Sequence, residues 1–145
     1  MRVSDAMTRN VRVARPDQTI QDAARLMLEI DAGVLPVGEN DRLVGMITDR
    51  DIAVRAVAGG KGPTTKVREV MSADVKYCFD DEDTEHVARN MGQQQVRRLP
   101  VVDRGKRLVG ILALGDLAVS SQLQPVGEAL QDISRPGGEH SQKRA

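Results

Sequence analysis

Apolar positions along the chain change rhythm several times, and then the changes repeat. Ile20, Ala23, Ala24, Met27 and Leu28 stand at i, i+3, i+4, i+7 and i+8, which is one face of a helix. Thr19 precedes this face as a natural N-cap, with Asp22 three residues on in the place of a capping-box acid. Gly33 is expected to close the helical region. Before it, Val11 and Val13 alternate like a short strand. After it, Val34 to Val37 and Leu43 to Ile47 are apolar runs on either side of the turn-rich GENDR, a hairpin pattern. Pro36 cannot donate to a ladder, so it belongs near a strand start or on an edge. Ile52 to Ala58 reads as a second helix, ended by GGKGP.

The same succession follows again. Val3, Met7 and Thr8 match Val67, Met71 and Ser72 at an offset of 64 residues. Val11, Ala24, Met27 and Leu35-Pro36-Val37 match Val75, Ala88, Met91 and Leu99-Pro100-Val101. The offset becomes 65 at Leu43-Val44-Gly45, which matches Leu108-Val109-Gly110, and Asp51 then matches Asp116. The added residue falls in the second turn, Asp103 to Lys106, where a hairpin tolerates it. A register kept over this length marks a duplication. The predicted fold class is mixed α/β (α+β). Two β-α-β-β-α repeats, each a small sheet with helices, pack about a pseudo-twofold axis. A unit of some 60 residues buries little alone, and a second unit can cover its apolar face. The expected organisation is a first repeat over 1–62, a second over 63–124, and a C-terminal extension over 125–145. That extension is expected to be disordered from about 134, where SRPGGEHSQKRA is polar and aperiodic.

Composition narrows the function classes. The 21 basic and 21 acidic residues balance, which argues against counterion-displacing nucleic-acid binding. No apolar run reaches the length of a membrane span, and MRVSDAMTRN lacks the apolar stretch of a signal peptide. The expectation is a cytoplasmic protein. Cys78 is the only cysteine, expected buried and reduced. With no Trp, one Tyr and one Phe, the core must be aliphatic.

The repeated h-P-V before a hairpin and G-h-h-(T/S)-x-x-D after it resemble a tandem pair of cystathionine-beta-synthase (CBS) domains of the stand-alone bacterial type. The resemblance covers about residues 1 to 122. It implies a non-enzymatic regulatory module that binds an adenosine-containing ligand such as AMP, ADP or ATP between the two repeats. It also implies a homodimer formed through the helices, and a downstream partner that the residues do not identify. The nucleotide would be a regulatory ligand and not a cofactor.

Thr48 and Asp51 in ITDRD admit two readings. A Thr followed three residues later by Asp at a helix start is close to a capping box. The same geometry can offer a carboxylate to a ribose and a hydroxyl to a phosphate beside free helix amides. The second repeat keeps Asp116 but has Ala113 in place of the threonine, so starting that helix does not require Thr48. In the family pattern the Thr and Asp act together on a ligand, which points to binding at Thr48 and Asp51. Asp116 is expected to cap, in a second and weaker cleft. Arg97 and Arg98 stand where the first repeat has Gly33 and Val34. They are either a solvated pair or bidentate phosphate donors. The resemblance favours the latter, completing the site of Thr48 and Asp51. It also implies a base seated between Met46 and Ile47 and the entering segment Val75, Lys76 and Tyr77. Tyr77 could equally be packed, and Lys76 solvated.

Other features suggest chemistry without its pattern. AGGKGPTT departs from a P-loop, with Pro63 after Gly62. His86 and His140 lack partners at metal-ligand spacing. The acidic DDEDTEH is expected to cap the helix through Asp83 and to hold no calcium. No nucleophile–base pairing or dinucleotide fingerprint stands out, so no enzyme is expected. The alternatives are an interaction or dimerisation module without ligand, and a binder of S-adenosylmethionine or NAD(H).

Overall fold

The structure, a computed structural model, describes residues 1–120 and 122–137. In chain order its elements are α1 (Val3–Ala6), α2 (Ile20–Ile30), β1 (Val34–Glu39), β2 (Arg42–Thr48), a π-helix (Asp51–Val57), a 3₁₀ turn (Val67–Glu69), β3 (Cys78–Phe79), α3 (Thr84–Gln94), β4 (Arg98–Val102), β5 (Leu108–Ala113), α4 (Leu114–Val119) and α5 (Leu123–Ser134). They form two compact units. The front unit comprises Arg12–Val75 with Lys106–Leu108, and the back unit Met1–Val11, Lys76–Gly105 and the described residues from Val109 on. Val3 and Val67, matched in the repeat, are both wholly buried, but Val3 lies in the core of the back unit and Val67 in that of the front unit.

In the front unit, Ile20, Ala23 and Met27 carry α2 into a core with Leu35, Val37, Ile47, Ala56 and Val67. The stripe is narrower than its sequence: Ala24 is exposed and Leu28 is 84% exposed. The capping box forms as expected, with the Asp22 N–H donating to Thr19 Oγ1 (3.1 Å) and the Thr19 N–H to Asp22 Oδ2 (3.2 Å). The helix end differs. Asp31, not Gly33, takes the left-handed conformation (φ 54°), one that a short polar side chain tolerates. The hairpin β1–β2 is antiparallel and pairs Leu35 with Ile47. Asn40 and Asp41 make its turn with φ of 53° and 62°, the left-handed pair that a tight hairpin demands.

The strand expected at Val11 and Val13 is not formed. Instead Ala14 makes a single parallel bridge to Val37. Its N–H donates to Pro36 O and its carbonyl accepts from Gly38 N–H. Left-handed Asn10 lies before it and Pro16 after it, so extension is confined to a few residues. Val13 faces outward while Ala14 is buried. This arrangement also explains Pro36, whose carbonyl points to Ala14 and so asks for no N–H toward β2. The expected second helix, Ile52 to Ala58, opens with an α-helical step at Asp49 and Arg50 and winds as a π-helix over Asp51–Val57.

In the back unit the sheet order is β3-β4-β5, with Cys78 and Phe79 parallel to Val101 and Val102. Its core joins Val3, Val87, Ala88, Met91, Leu99, Val101, Leu112 and Leu117. Asp83 caps α3 by accepting the Glu85 N–H (3.1 Å). The start of the expected C-terminal extension is helical: α5 lays buried Ala129 on this core, with Val126 and Ile133 beside it. Gly92 admits it, since a Cβ there would lie 3.1 Å from Ala129 Cα. Of the tail expected to be disordered, residues 138–145, with His140, lie outside the described residues.

Cys78 is a free, buried thiol in β3. Burial, with smaller contributions from Glu82 and Asp80, pushes its pKa up to about 12 from 9.0. The folded thiol therefore stays neutral where the unfolded one ionises, and the native state loses this stabilisation as pH rises from 9 toward 12. A thiol reagent at pH 8 should label native protein only as fast as it opens. Urea melts should show stability falling over that window more steeply for wild type than for Cys78→Ala.

Candidate functional site

The end of β2 and the start of the π-helix present the first group of side chains. Asp51 N–H donates to Thr48 Oγ1 (3.0 Å), and Thr48 N–H donates to Asp51 Oδ2 (2.9 Å). The capping box is thus real. It uses only part of each side chain, because Asp51 Oδ1 and the hydroxyl hydrogen of Thr48 have no partner among the described residues. Both residues are half-buried. The carboxylate is anchored at one oxygen and open at the other, a geometry suited to accepting hydroxyl donors. Asp49 adds a feature the sequence did not reveal. Its N–H donates to Gly33 O (2.9 Å), and a Cβ on Gly33 would lie 2.6 Å from its carboxylate. The Asp49 carboxylate thus lies directly over Gly33, and chain spacing alone carries no sign of it.

Met46 is half-buried in β2, and its main chain pairs with Ser72 in both directions at 2.9 Å. Ile47 is wholly buried in the front core and pairs with Leu35 inside the hairpin, so its side chain lies away from any ligand surface. Val75 ends the same unit and is half-buried.

The back unit holds the rest. Asp116 Oδ2 accepts the Ala113 N–H (2.8 Å). This is the carboxylate half of the same box without the hydroxyl half. Arg97 and Arg98 are exposed at the entry to β4, and Leu114 N–H donates to Arg97 O (2.9 Å). Lys76 is exposed, and Tyr77 is 42% exposed with its ring edge-on to Phe79 at 5.6 Å. Arg104 stacks 4.1 Å over that Phe79 ring and grips Asp81 with two bonds of 2.8 and 2.9 Å. That bond holds the Asp81 carboxyl below its usual range. The acidic run is thus engaged in capping and pairing, and among the described residues no His, Cys, Asp and Glu side chains gather in a metal-holding group. No helix among them is long and apolar enough to cross a membrane.

Two like units, each opening a helix beside a carboxylate from a matched hairpin, define a duplicated module. The CBS domain model matches the chain twice, at residues 3–57 and 67–121, and the chain belongs to that family. It is 47% identical over 133 residues to the CBS domain-containing protein YhcV of Bacillus subtilis, covering 91% of this chain and 94% of that protein. Solved CBS pairs share the fold. One is the pair of protein MJ0100 in complex with 5-methylthioadenosine and S-adenosyl-L-methionine, with a TM-score of 0.75 at 30% identity, over 86% of this chain and 98% of that one. Another is CBSX2 in complex with AMP, with a TM-score of 0.74 at 29% identity, over 84% and 96%.

Proposed function

We propose that this chain is a non-enzymatic regulatory module whose ligand is an adenosine nucleotide, AMP, ADP or ATP. Thr48 and Asp51 hold the ribose and a phosphate oxygen, and Arg97 and Arg98 neutralise the phosphates. Met46 and the chain at Val75 to Tyr77 surround the base, with Lys76 beside the phosphates. The observation that carries this reading is the Thr48–Asp51 pair. Its capping bonds are satisfied within the chain, yet one carboxylate oxygen and one hydroxyl proton remain for a ligand. The half-pair at Ala113 and Asp116 makes the second cleft weaker. Relatives of the same fold that bind AMP or S-adenosyl-L-methionine support the ligand class. A ligand that prefers one arrangement of the module shifts it toward that arrangement, and a cytoplasmic homodimer transmits the shift to a partner protein.

Calorimetric titration with AMP, ADP, ATP and S-adenosylmethionine tests the reading. Heat with a nucleotide, reduced by Arg97→Ala, supports it. Binding of S-adenosylmethionine alone, indifferent to Arg97→Ala, replaces it with the phosphate-free alternative. No heat with any of the four overturns it. A module that works by association alone would then be favoured by the apolar side chains that helices of both units expose, among them Leu28, Val57, Val119 and Leu123.

A further inference from the structure

The π-helix that begins at Asp51 carries, four residues on, an arginine that the proposed site does not use. Arg55 Nη1 donates to the carbonyls of Val70 (3.0 Å) and Met71 (3.3 Å). These close the 3₁₀ turn Val67–Glu69. The next residue, Ser72, is tied to β2 by its two backbone bonds with Met46. Between them the Met71 sulfur rests on Gly45, where a Cβ would come within 2.6 Å. Three ties from the helix and strand of one unit therefore meet on residues 70–72, and the chain leaves them in irregular conformation through Val75.

The back unit repeats two of these ties and omits the third. Thr8 pairs with Ile111 as Ser72 pairs with Met46, and Met7 rests on Gly110 as Met71 rests on Gly45. The position matching Arg55 is Ser120, whose hydroxyl bonds back to Asp116 O (2.9 Å) in its own helix. That helix is α, whereas the one carrying Arg55 is π. Isolated π turns are rare and concentrate at functional sites. What both units share is what the fold requires. The arginine is additional, and it belongs to the unit with the complete Thr–Asp pair.

We infer that Arg55 is a positioning residue: it latches the segment 70–75 to the helix that Asp51 begins, so that the main chain at Met46 and Val75 is already ordered when the ligand arrives. This rests on the reading that Thr48 and Asp51 hold an adenosine nucleotide. Without the latch the segment opens, and binding must order it, which lowers apparent affinity by the fraction of ordered molecules. Hydrogen bonds from a charged donor are strong enough for the loss to reach about tenfold.

The test titrates AMP into wild type, Arg55→Gln, Arg55→Lys and Ser120→Ala, and follows amide exchange at Met46 and Ser72 without ligand. Arg55→Gln is expected to bind AMP about tenfold more weakly and to exchange faster at both amides. Arg55→Lys, which still donates to a carbonyl, should recover part of both effects, and Ser120→Ala should change neither. Affinity in Arg55→Gln equal to that of a binding wild type overturns the latch alone. Loss of binding with unchanged exchange at Ser72 and no recovery by lysine also overturns it. A wild type that binds none of AMP, ADP and ATP, titrated in turn, overturns the nucleotide reading, and the latch's role in binding goes with it.

Discussion

Asp51→Ala is expected to weaken binding of an adenosine nucleotide by about 10²- to 10⁴-fold, because hydrogen bonds to a charged acceptor contribute roughly 1.5–3 kcal/mol each and a ribose offers two. The matched substitution Asp116→Ala separates this loss from folding. Each variant strips a carboxylate from a helix start and frees one backbone N–H, that of Thr48 or of Ala113. Each should therefore cost about 1 kcal/mol of stability, as lost caps do. Only Asp51→Ala should weaken binding to this extent, since Thr48 accompanies Asp51 and Ala113 cannot substitute for it. Calorimetry with urea melts on both variants measures the two effects separately. Equal loss of affinity in the pair would show that the second cleft works as well as the first.

The largest losses of stability are expected at Leu35→Ala in the front unit and Leu117→Ala in the back unit. Both side chains are wholly buried, at 0% exposure, in aliphatic cores. Truncating a leucine in such a site removes its transfer free energy and leaves a cavity, together about 2–5 kcal/mol. With the single Phe and Tyr half-buried or exposed, the chain has no aromatic side chain to fill such a void. Urea denaturation should show midpoints shifted down in both variants with little change of slope. Leu28→Ala, on the same α2 but 84% exposed, should move the midpoint little and serves as the contrast.

Much of the fold was legible because its causes are local. The helical spacing from Ile20 to Met27, the Thr19–Asp22 box and the hairpin turn at Asn40-Asp41 each depend on residues a few positions apart. The repeat showed through because matched positions do matched work: Met7 and Met71 each cover a glycine, and Thr8 and Ser72 each bridge a strand. Helix α5 has an equally local cause, with Val126, Ala129, Leu130 and Ile133 at helical spacing, although the polar tail that follows it shares none of this pattern. The strand expected at Val11 and Val13 failed because alternation cannot say whether a partner strand is present. Only Ala14 found one, along Val37.

The candidate site divides the same way. That Thr48 and Asp51 form a reciprocal pair follows from their spacing, since a three-residue step at a helix start brings hydroxyl and carboxylate to opposite amides. Duplication, an aliphatic core and the unequal endings at Thr48 and Ala113 are likewise properties of the string of residues. That Val3 packs with the second half and Val67 with the first is not, nor is the carboxylate of Asp49 over Gly33 or the reach of Arg55 to Val70. Those contacts join residues about 15 to more than 100 positions apart. Their formation depends on how buried surfaces meet and on where a side chain then finds a free carbonyl, which no local pattern encodes.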